Sequence, residues 1–202
     1  MEIRDLYPGG YVSACYFVTQ GDTAVLIDCS APAATVSAAL AESGTHLAAI
    51  LLTHGHFDHL LTLAEVKAAT GAPVYICAAD AEMPADAHKN AFATFFGFDR
   101  SYPVPDHTFV ENDELCFGDL AFRVLHTPGH TKGSAVFLAE GNAFTGDTLF
   151  AAGYGRCDLY GGDFFALRRS LQRLSELPPE TVIYPGHGAS STIGDAFRRL
   201  TE

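Results

Sequence analysis

Three histidines and one aspartate stand close together in the stretch Leu51-Leu-Thr-His-Gly-His-Phe-Asp-His-Leu60. Imidazole nitrogens and carboxylate oxygens are ligands for Zn²⁺, Fe or Mn at reactive sites, whereas structural zinc usually uses several cysteines. His54 and His56 are two positions apart, so on an extended segment they point the same way. We expect Asp58 and His59 to project from the first turn of a following helix. The cluster therefore divides into two pairs, which favours two metal ions rather than one.

Further histidines and aspartates follow other predicted strands, each after a tight turn. These turns are Pro128-Gly129-His130, Gly146-Asp147 and Pro185-Gly186-His187. In a Pro-Gly-His type II turn, proline fixes φ at the second position and glycine tolerates the positive φ required at the third. Both histidines should then be held at a fixed angle. So many potential ligands at the ends of four strands are hard to reconcile with chance, and we interpret them as one metal site.

The other histidines and the cysteines receive more ordinary interpretations. His46, His88, His107 and His126 are expected to be surface or core residues, with His126 a candidate hydrogen-bond partner of a ligand. The five cysteines are widely spaced and lack a Cys-x-x-Cys pair, which fits reduced thiols in a cytoplasmic protein. Cys157 stands among the candidate site residues, and its role is left open.

The elements that must position these side chains follow from hydrophobic periodicity. Strands and helices alternate twice along the chain without a linker, which predicts one domain over residues 1–202 and layers of helices covering sheets. The first two strands should form a hairpin, and Asp163 should cap the fourth helix. The predicted strands are 11–19, 23–28, 48–53, 74–77, 114–117, 121–127, 135–138, 143–145 and 181–184. The predicted helices are 31–43, 60–70, a helical excursion over 79–96, 163–177 and 193–200.

Composition and charge exclude several classes of function. The chain has 202 residues, of which 48% are hydrophobic, enough for a sizeable core. Its net charge of −12 disfavours binding to nucleic acid or to an anionic membrane, and therefore a nuclease. The N-terminus lacks the pattern of a signal peptide, and the aliphatic run 47–52 is far shorter than the ~20 residues of a membrane span. We therefore expect a cytoplasmic protein.

Four motifs together resemble the metal motifs of the metallo-β-lactamase superfamily. They are THGHFDH (53–59), HTPGHTKGS (126–134), TGDTLF (145–150) and YPGHG (184–188). The glyoxalase II (hydroxyacylglutathione hydrolase)-like branch, in a short single-domain form, is the most similar. The resemblance extends from the strand at 26–28 to His187. It implies an α/β fold, a four-layer αββα sandwich, with the metals at one edge between the two sheets.

The resemblance also implies a ligand set and a reaction. It assigns His54, His56 and His130 to the first metal, and Asp58, His59 and His187 to the second, with Asp147 bridging both. The cofactors would be two divalent ions, zinc in the first place and iron or manganese as alternatives. A hydroxide bridging them would attack the carbonyl of a thioester or related ester, with Asp58 orienting the nucleophile and taking its proton. The partner would be a small-molecule substrate such as a glutathione thioester.

The chain departs from glyoxalase II at the residues that contact glutathione. Arg156, Asp158 and Ala189 stand where that family has a lysine and two tyrosines. The hydrolytic residues are therefore kept while the glutathione contacts are not matched, although Arg156 is a candidate for binding a substrate carboxylate. Phe57, Tyr154 and Tyr160 are candidate pocket residues as well as ordinary packing residues.

Other functions remain open at this point. A mononuclear iron persulfide dioxygenase would need two histidines and one aspartate, a role open to His56, His130 and Asp147. A β-lactam hydrolase is disfavoured by the lack of a signal peptide, and a non-catalytic metal-binding module would leave the glycine-rich segment 153–162 without a purpose. The chain has no Gly-x-Ser-x-Gly elbow, so no serine nucleophile is predicted.

Overall fold

The structure, a computed structural model, describes residues 1–6 and 10–201 and contains two mixed β-sheets. In the first sheet the strands lie in chain order. They are β1 (Glu2–Asp5), β2 (Tyr16–Gln20), β3 (Thr23–Ile27), β4 (His46–Leu51), β5 (Val74–Cys77) and β6 (His107–Phe109). The second sheet has the order β12-β11-β10-β9-β8-β7. Its strands are β7 (Glu114–Phe117), β8 (Leu120–His126), β9 (Ala135–Ala139), β10 (Asn142–Gly146), β11 (Val182–Pro185) and β12 (Ser191–Thr192).

Five α-helices accompany the sheets in the described part of the chain. They are α1 (Ala33–Ser43), α2 (Leu63–Thr70), α3 (Phe92–Phe96), α4 (Phe164–Leu174) and α5 (Ile193–Thr201). Gly44 and Gly71 end α1 and α2 in the left-handed conformation. The Asp163 carboxylate accepts a hydrogen bond from the Ala166 amide, which confirms it as the N-cap of α4. Within the described residues, no helix is both long enough and apolar enough to cross a bilayer.

Three apolar clusters separate four layers of structure. The outer face of the first sheet packs on α1 and α2 through residues such as Leu26, Val36 and Val66. The inner faces of the two sheets meet around Phe122 and Phe137. The outer face of the second sheet packs on α4 and α5. The predicted αββα sandwich is confirmed, because each sheet buries one face against helices and the other against its partner sheet.

The strand directions bring four loops to one edge of the sandwich. β4 runs parallel to β3, and β10 runs parallel to β11. β9 is antiparallel to both β8 and β10, so β8 runs in the same direction as β10. The chain therefore leaves β8, β10 and β11 at the same edge of the second sheet. The Thr53 carbonyl, which follows β4, accepts a hydrogen bond of 2.9 Å from the Ala135 amide and joins the two sheets there.

Two of the predicted helices differ from the structure. The predicted helix 60–70 begins only at Leu63, and Phe57–His59 form a separate 3₁₀ turn, so Asp58 and His59 do not lie on the first turn of α2. The excursion 79–96 is mostly turns, and only α3 is an α-helix. Proline at position 84 lacks an amide hydrogen, and Ala91 has a positive φ of 68°, which interrupts a regular helix.

The sequence prediction also missed three short strands. β1, β6 and β12 have between two and four residues each, and all three lie at sheet edges. These short strands are mostly exposed or half-buried and lack the apolar run that marks β5, which has only four residues. The hairpin of β2 and β3 is confirmed, with five antiparallel residue pairs.

Candidate metal centre

The seven predicted ligands lie together at the edge where the two sheets meet. His54, His56, His59 and His130 are at most 3% exposed, whereas His187 is 30% exposed. Their ligand atoms form three groups in which all atoms lie within 4.8 Å of one another. The groups are His54, His56 and His130; Asp58, His59 and His187; and His54, His59 and Asp147. The first two groups are the two triads that the sequence implied.

The first triad has the spacing of ligands around one cation. His130 Nε2 lies 2.9 Å from His56 Nδ1 and 3.2 Å from His54 Nε2. Nitrogens bound to one tetrahedral zinc at ~2.0–2.1 Å are separated by roughly 3.3 Å. The His130 Nδ1–H donates to the Arg156 carbonyl at 2.6 Å, which leaves Nε2 free to face the site. One nitrogen of each of the three rings therefore faces a common point.

The second triad is joined to the first by Asp147. His187 Nε2 lies 3.1 Å from Asp58 Oδ2 and 3.6 Å from Asp147 Oδ2. Asp147 Oδ1 lies 3.4 Å from His59 Nε2, and its Oδ2 lies 3.6 Å from His130 Nε2. The Asp147 carboxylate thus faces histidines of both triads, which is the position of a bridging ligand.

These residues fit divalent cations. His59 Nε2 and Asp147 Oδ1 are buried and face each other at 3.4 Å without forming a hydrogen bond, so a cation bound beside them would satisfy both atoms. The set contains nitrogen and oxygen donors without a thiolate, which suits zinc, iron or manganese at a reactive site. The ligand roles, the number of ions and their identity stay predictions.

The protonation of the rings is set by burial and by neighbouring charges. Burial lowers the pKa of His56 to about 3, and His130 beside it acts in the same direction. Burial and the surrounding histidines likewise hold the pKa of His54 well below its usual range. For His59, burial opposes the charged form, but Asp28, Asp147 and Asp58 raise its pKa. His54 and His56 are therefore neutral and able to bind a cation, whereas the carboxylates around His59 attract positive charge.

Both Pro-Gly-His segments need glycine because other atoms lie against its Cα, and a Cβ on Gly129 would stand 2.2 Å from the Leu167 amide nitrogen. Gly129 has a positive φ of 139°, as the predicted turn requires. Gly186 does not have a positive φ, so the turn prediction is wrong there. A Cβ on Gly186 would stand 2.3 Å from Asp147 Oδ1 and 2.6 Å from His59 Cε1. Glycine is needed at this position because the ligands lie against its Cα.

The metal centre forms the floor of a pocket of about 340 Å³. Five of the predicted ligands line it, together with seven other residues. The ligands are His56, Asp58, His130, Asp147 and His187, and the others are Tyr11, Phe57, Ala91, Phe95, Phe96, Arg156 and Leu159. A concave site that joins potential metal ligands to apolar walls is the usual form of a small-molecule site.

Some predicted pocket residues are engaged elsewhere. The Arg156 guanidinium lines the pocket but donates two hydrogen bonds to Asp158, of 2.6 and 2.8 Å, so binding of a substrate carboxylate stays a prediction. The Tyr160 hydroxyl donates to Glu82 outside the pocket lining. Cys157 is a half-buried free thiol that does not line the pocket.

Comparison with known proteins decides the family. A model described as the metallo-beta-lactamase superfamily matches residues 8–187. The chain belongs to the metallo-β-lactamase superfamily. This superfamily member is 32% identical to one curated relative, the probable metallo-hydrolase YqgX of Bacillus subtilis (strain 168). The match covers 96% of this chain and 93% of the relative. It is 42% identical to a hydroxyacylglutathione hydrolase of Fuscovulum blasticum, over 77% of this chain but 54% of that protein.

Solved structures of the superfamily share the whole fold. BLEG-1, described as a B3 metallo-β-lactamase, is 30% identical, with a TM-score of 0.92 and full coverage of both chains. TTHA1623, described in a di-iron-bound form, is 36% identical, with a TM-score of 0.84 over 96% of each chain. ETHE1 from Myxococcus xanthus is 29% identical, with a TM-score of 0.81 over 99% of this chain and 83% of its own.

Asp28 is a supporting residue of this metallo-β-lactamase-superfamily site that the sequence analysis did not single out. It directly follows β3, is 2% exposed and has a positive φ of 60°. Its Oδ2 accepts from His59 Nδ1 at 2.7 Å and from Thr53 Oγ1 at 2.9 Å. Thr53 Oγ1 in turn accepts from His54 Nδ1 at 3.1 Å. One carboxylate therefore orients a ring of each triad and directs the opposite nitrogen into the site.

Asp80 is the second supporting residue that was missed. It follows β5 and is fully buried. Its carboxylate accepts from the Gly55 amide at 3.1 Å, from the Thr131 hydroxyl at 2.6 Å and from the Gly133 amide at 2.7 Å. It thereby ties the loop that carries His56 to the loop that follows His130. The available signal was an acidic residue three positions after the predicted strand 74–77.

The predicted partner role of His126 is not supported by its contacts. Its Nε2–H donates to the Lys132 carbonyl at 2.8 Å, and its ring contacts no member of the three ligand groups. The ordinary interpretation of this histidine therefore stands.

Proposed function

We propose that the chain is a metal-dependent hydrolase of thioesters, with a reaction of the glyoxalase II type. The observation that carries the proposal is the pair of histidine–aspartate triads, linked by Asp147, on the floor of a substrate-sized pocket. Similarity to a hydroxyacylglutathione hydrolase supports the thioester assignment, although the chain spans 54% of that relative. A 2-hydroxyacyl thioester is therefore the first substrate type to test.

The donors divide the work of the reaction. The triad of His54, His56 and His130 would hold one divalent ion, and Asp58, His59 and His187 would hold the second. Such ions lower the pKa of a water molecule and polarise a carbonyl oxygen. Asp58 is 16% exposed at the pocket floor, where its carboxylate can orient the attacking water and accept its proton. Burial raises the pKa of Asp58, but His59 and His187 outweigh it and lower the pKa, so this carboxylate is ionised and able to act as a base.

The pocket lining offers no serine, cysteine or lysine nucleophile to compete with water. Among the described residues that line it, none is a serine, cysteine or lysine. Hydrolases that form an acyl intermediate commonly use one of these side chains, and the carboxylates and imidazoles of this lining are assigned to the ions. Direct attack by water on the thioester carbonyl is therefore the route that these side chains support.

Loss of one ligand tests the proposal. In zinc-loaded protein, Asp58→Ala and His56→Ala should each reduce hydrolysis of a thioester panel beginning with S-lactoylglutathione by about a thousandfold or more. The control His88→Ala removes an exposed histidine outside the site and should leave turnover unchanged. Circular dichroism should show the same fold in all three variants. Full activity of either ligand variant would contradict the mechanism.

A mononuclear iron persulfide dioxygenase is the second candidate. His56 Nδ1 and Asp147 Oδ2 both lie close to His130 Nε2, at 2.9 and 3.6 Å, which gives two histidines and one carboxylate around one point. That is the ligand type of non-haem iron oxygenases. Iron-loaded protein should then consume oxygen with glutathione persulfide and leave thioesters intact. The same assays should include a β-lactam, because a structure described as a B3 metallo-β-lactamase shares the whole fold.

A further inference from the structure

One side of the pocket consists of phenylalanine rings that the proposed mechanism does not use. Phe57, Phe95 and Phe96 line it, and these three residues are called the aromatic wall. The Phe57 ring centroid lies 5.6 Å from that of Phe95 and 5.5 Å from that of Phe96. Phe57 is 6% exposed, but Phe95 and Phe96 are 52% and 46% exposed. Aromatic surface left open beside a reactive centre indicates a place for an apolar ligand group.

The aromatic wall is fixed to the metal centre by the chain itself. Phe57 stands between His56 and Asp58 in the sequence, so its position is set with theirs. The buried side chain of Asn90 accepts a hydrogen bond of 2.9 Å from the Phe92 amide, and the Asn90 carbonyl accepts one of 2.9 Å from the Phe57 amide. These bonds hold the segment that carries the exposed rings against the loop of the ligands. A ligand group that packs there meets a preorganised surface.

The charged side chains that line the pocket do not suit glutathione, a peptide thiol that carries two carboxylates. Among the described residues that line the pocket, Arg156 is the only lysine or arginine. Its guanidinium is paired with the Asp158 carboxylate and lies over the Phe95 ring, 5.6 Å from the centroid. Asp158 thus offsets the charge of Arg156. The flat face of the Arg156 guanidinium extends the apolar surface of the wall. The two carboxylates of a glutathione thioester would find no unpaired cation in this lining.

We infer that the aromatic wall is the subsite for an apolar group of the substrate, an aryl or medium-length alkyl group attached to the thioester. Glutathione thioesters are then poor substrates. This inference rests on the proposed thioester hydrolysis and adds the substrate class. The apolar group belongs either to the acyl part or to the thiol part, since the wall recognises the same chemistry in both.

Kinetics with two substrate series test the subsite. The first series joins acetyl, hexanoyl and phenylacetyl groups to N-acetylcysteamine, and the second joins acetyl to N-acetylcysteamine, benzyl mercaptan or glutathione. In zinc-loaded protein, kcat/KM should favour the apolar member of one series, and that series identifies the side of the thioester that contacts the wall. Phe95→Ala or Phe96→Ala should reduce this preference about tenfold, because each removes apolar area that the substrate covers. The control Phe165→Ala removes a phenylalanine on α4 that is 70% exposed outside the pocket lining, and should change nothing.

A binding measurement separates the subsite from the reaction. Saturation-transfer NMR with the neutral probe N-benzylacetamide should show ring contacts with the wild-type chain and with Phe165→Ala, but not with the double variant Phe95→Ala/Phe96→Ala. Probe binding of this kind without hydrolysis of any thioester would support the subsite and reject the proposed function. Thioester hydrolysis with no apolar preference, or with S-lactoylglutathione preferred, would overturn the subsite and leave the hydrolase standing.

Discussion

At the scale of single residues, one carboxylate outside the ligand set controls two of the ligands. Asp28 bonds His59 directly and reaches His54 through the Thr53 hydroxyl. Its positive φ of 60° is uncommon for a residue with a side chain and costs conformational energy. The surrounding hydrogen bonds, including one of 2.8 Å from the Thr53 amide to its Oδ1, hold it in that conformation. The backbone strain therefore lies where the ligand rings are oriented.

Asp28→Asn should weaken metal binding. The asparagine NH2 group would replace a carboxylate oxygen that accepts from Thr53 or His59, so two donors would face each other. The ring of His59 or of His54 would then lose its fixed orientation. Loss of such a partner typically reduces metal affinity by about 10–100-fold. Titration of zinc against a coloured chelator measures this change. Asp106→Asn, the same substitution at a surface carboxylate paired with Lys67, should leave the affinity unchanged; equal affinity of Asp28→Asn and wild type would contradict the assigned role.

At the scale of elements, the ends of the strands bring the ligands together. β4, β8, β10 and β11 each pass within a few residues into a ligand, and the contact between Thr53 and Ala135 closes the gap between the sheets. Close approach of these segments leaves little space for side chains. Gly186 shows this most directly, because a Cβ there would overlap Asp147 and His59. The short distance between strand end and ligand explains why the site is rigid.

Gly186→Ala should abolish tight metal binding, because the added methyl group displaces Asp147 or His59. Its matched control is Gly188→Ala, which has open space for a Cβ but a positive φ of 84°. The control should lose about 1 kcal/mol of unfolding free energy through backbone strain while keeping its metal. Metal analysis after gel filtration, with urea unfolding of the same samples, separates the two effects. Retained metal in Gly186→Ala would show that the strand end can move.

At the scale of the whole molecule, the sandwich places several negatively charged carboxylates close together at one edge, where they repel one another. Asp28, Asp58 and Asp147 lie around the same histidines in a chain whose net charge is −12. Burial raises the pKa of Asp147, but the positive charge of His59 acts against burial and the pKa is held low. Bound cations would replace protons as the source of that positive charge. The free energy of metal binding is therefore coupled to folding.

Removal of metal should lower the melting temperature. At a free zinc concentration a hundred times the Kd, one site stabilises the native state by about 2.7 kcal/mol. For a chain of this size that corresponds to a shift of roughly 5–10 °C. Calorimetry of chelator-treated and zinc-loaded protein measures the shift, and His56→Ala should show a smaller one. Equal melting temperatures with and without zinc would mean that the cluster does not bind the ion tightly.

The sequence by itself determined the features that depend on neighbours along the chain. The spacing of His54, His56, Asp58 and His59, together with three turns after strands, was sufficient to place every member of the three ligand groups. Strand periodicity and helix-ending glycines predicted helices that cover sheets, and the family resemblance implied the four layers. These signals are local, because side-chain direction and turn geometry are set over a few residues. The stretch 79–96 was mispredicted because its alanine-rich pattern favours helix while its tertiary hydrogen bonds favour turns.

Only the tertiary structure decided which distant residues support the site. Asp28 and Asp80 look like ordinary residues after strands until strand order places them beside Thr53, His59 and Gly55. The Arg156 guanidinium lies over the Phe95 ring, 5.6 Å from its centroid, which the spacing in the sequence does not show. Phe95 packs against Phe57, and the two rings together line one side of the pocket. Contacts of this kind join residues far apart in the chain, and no local pattern specifies them.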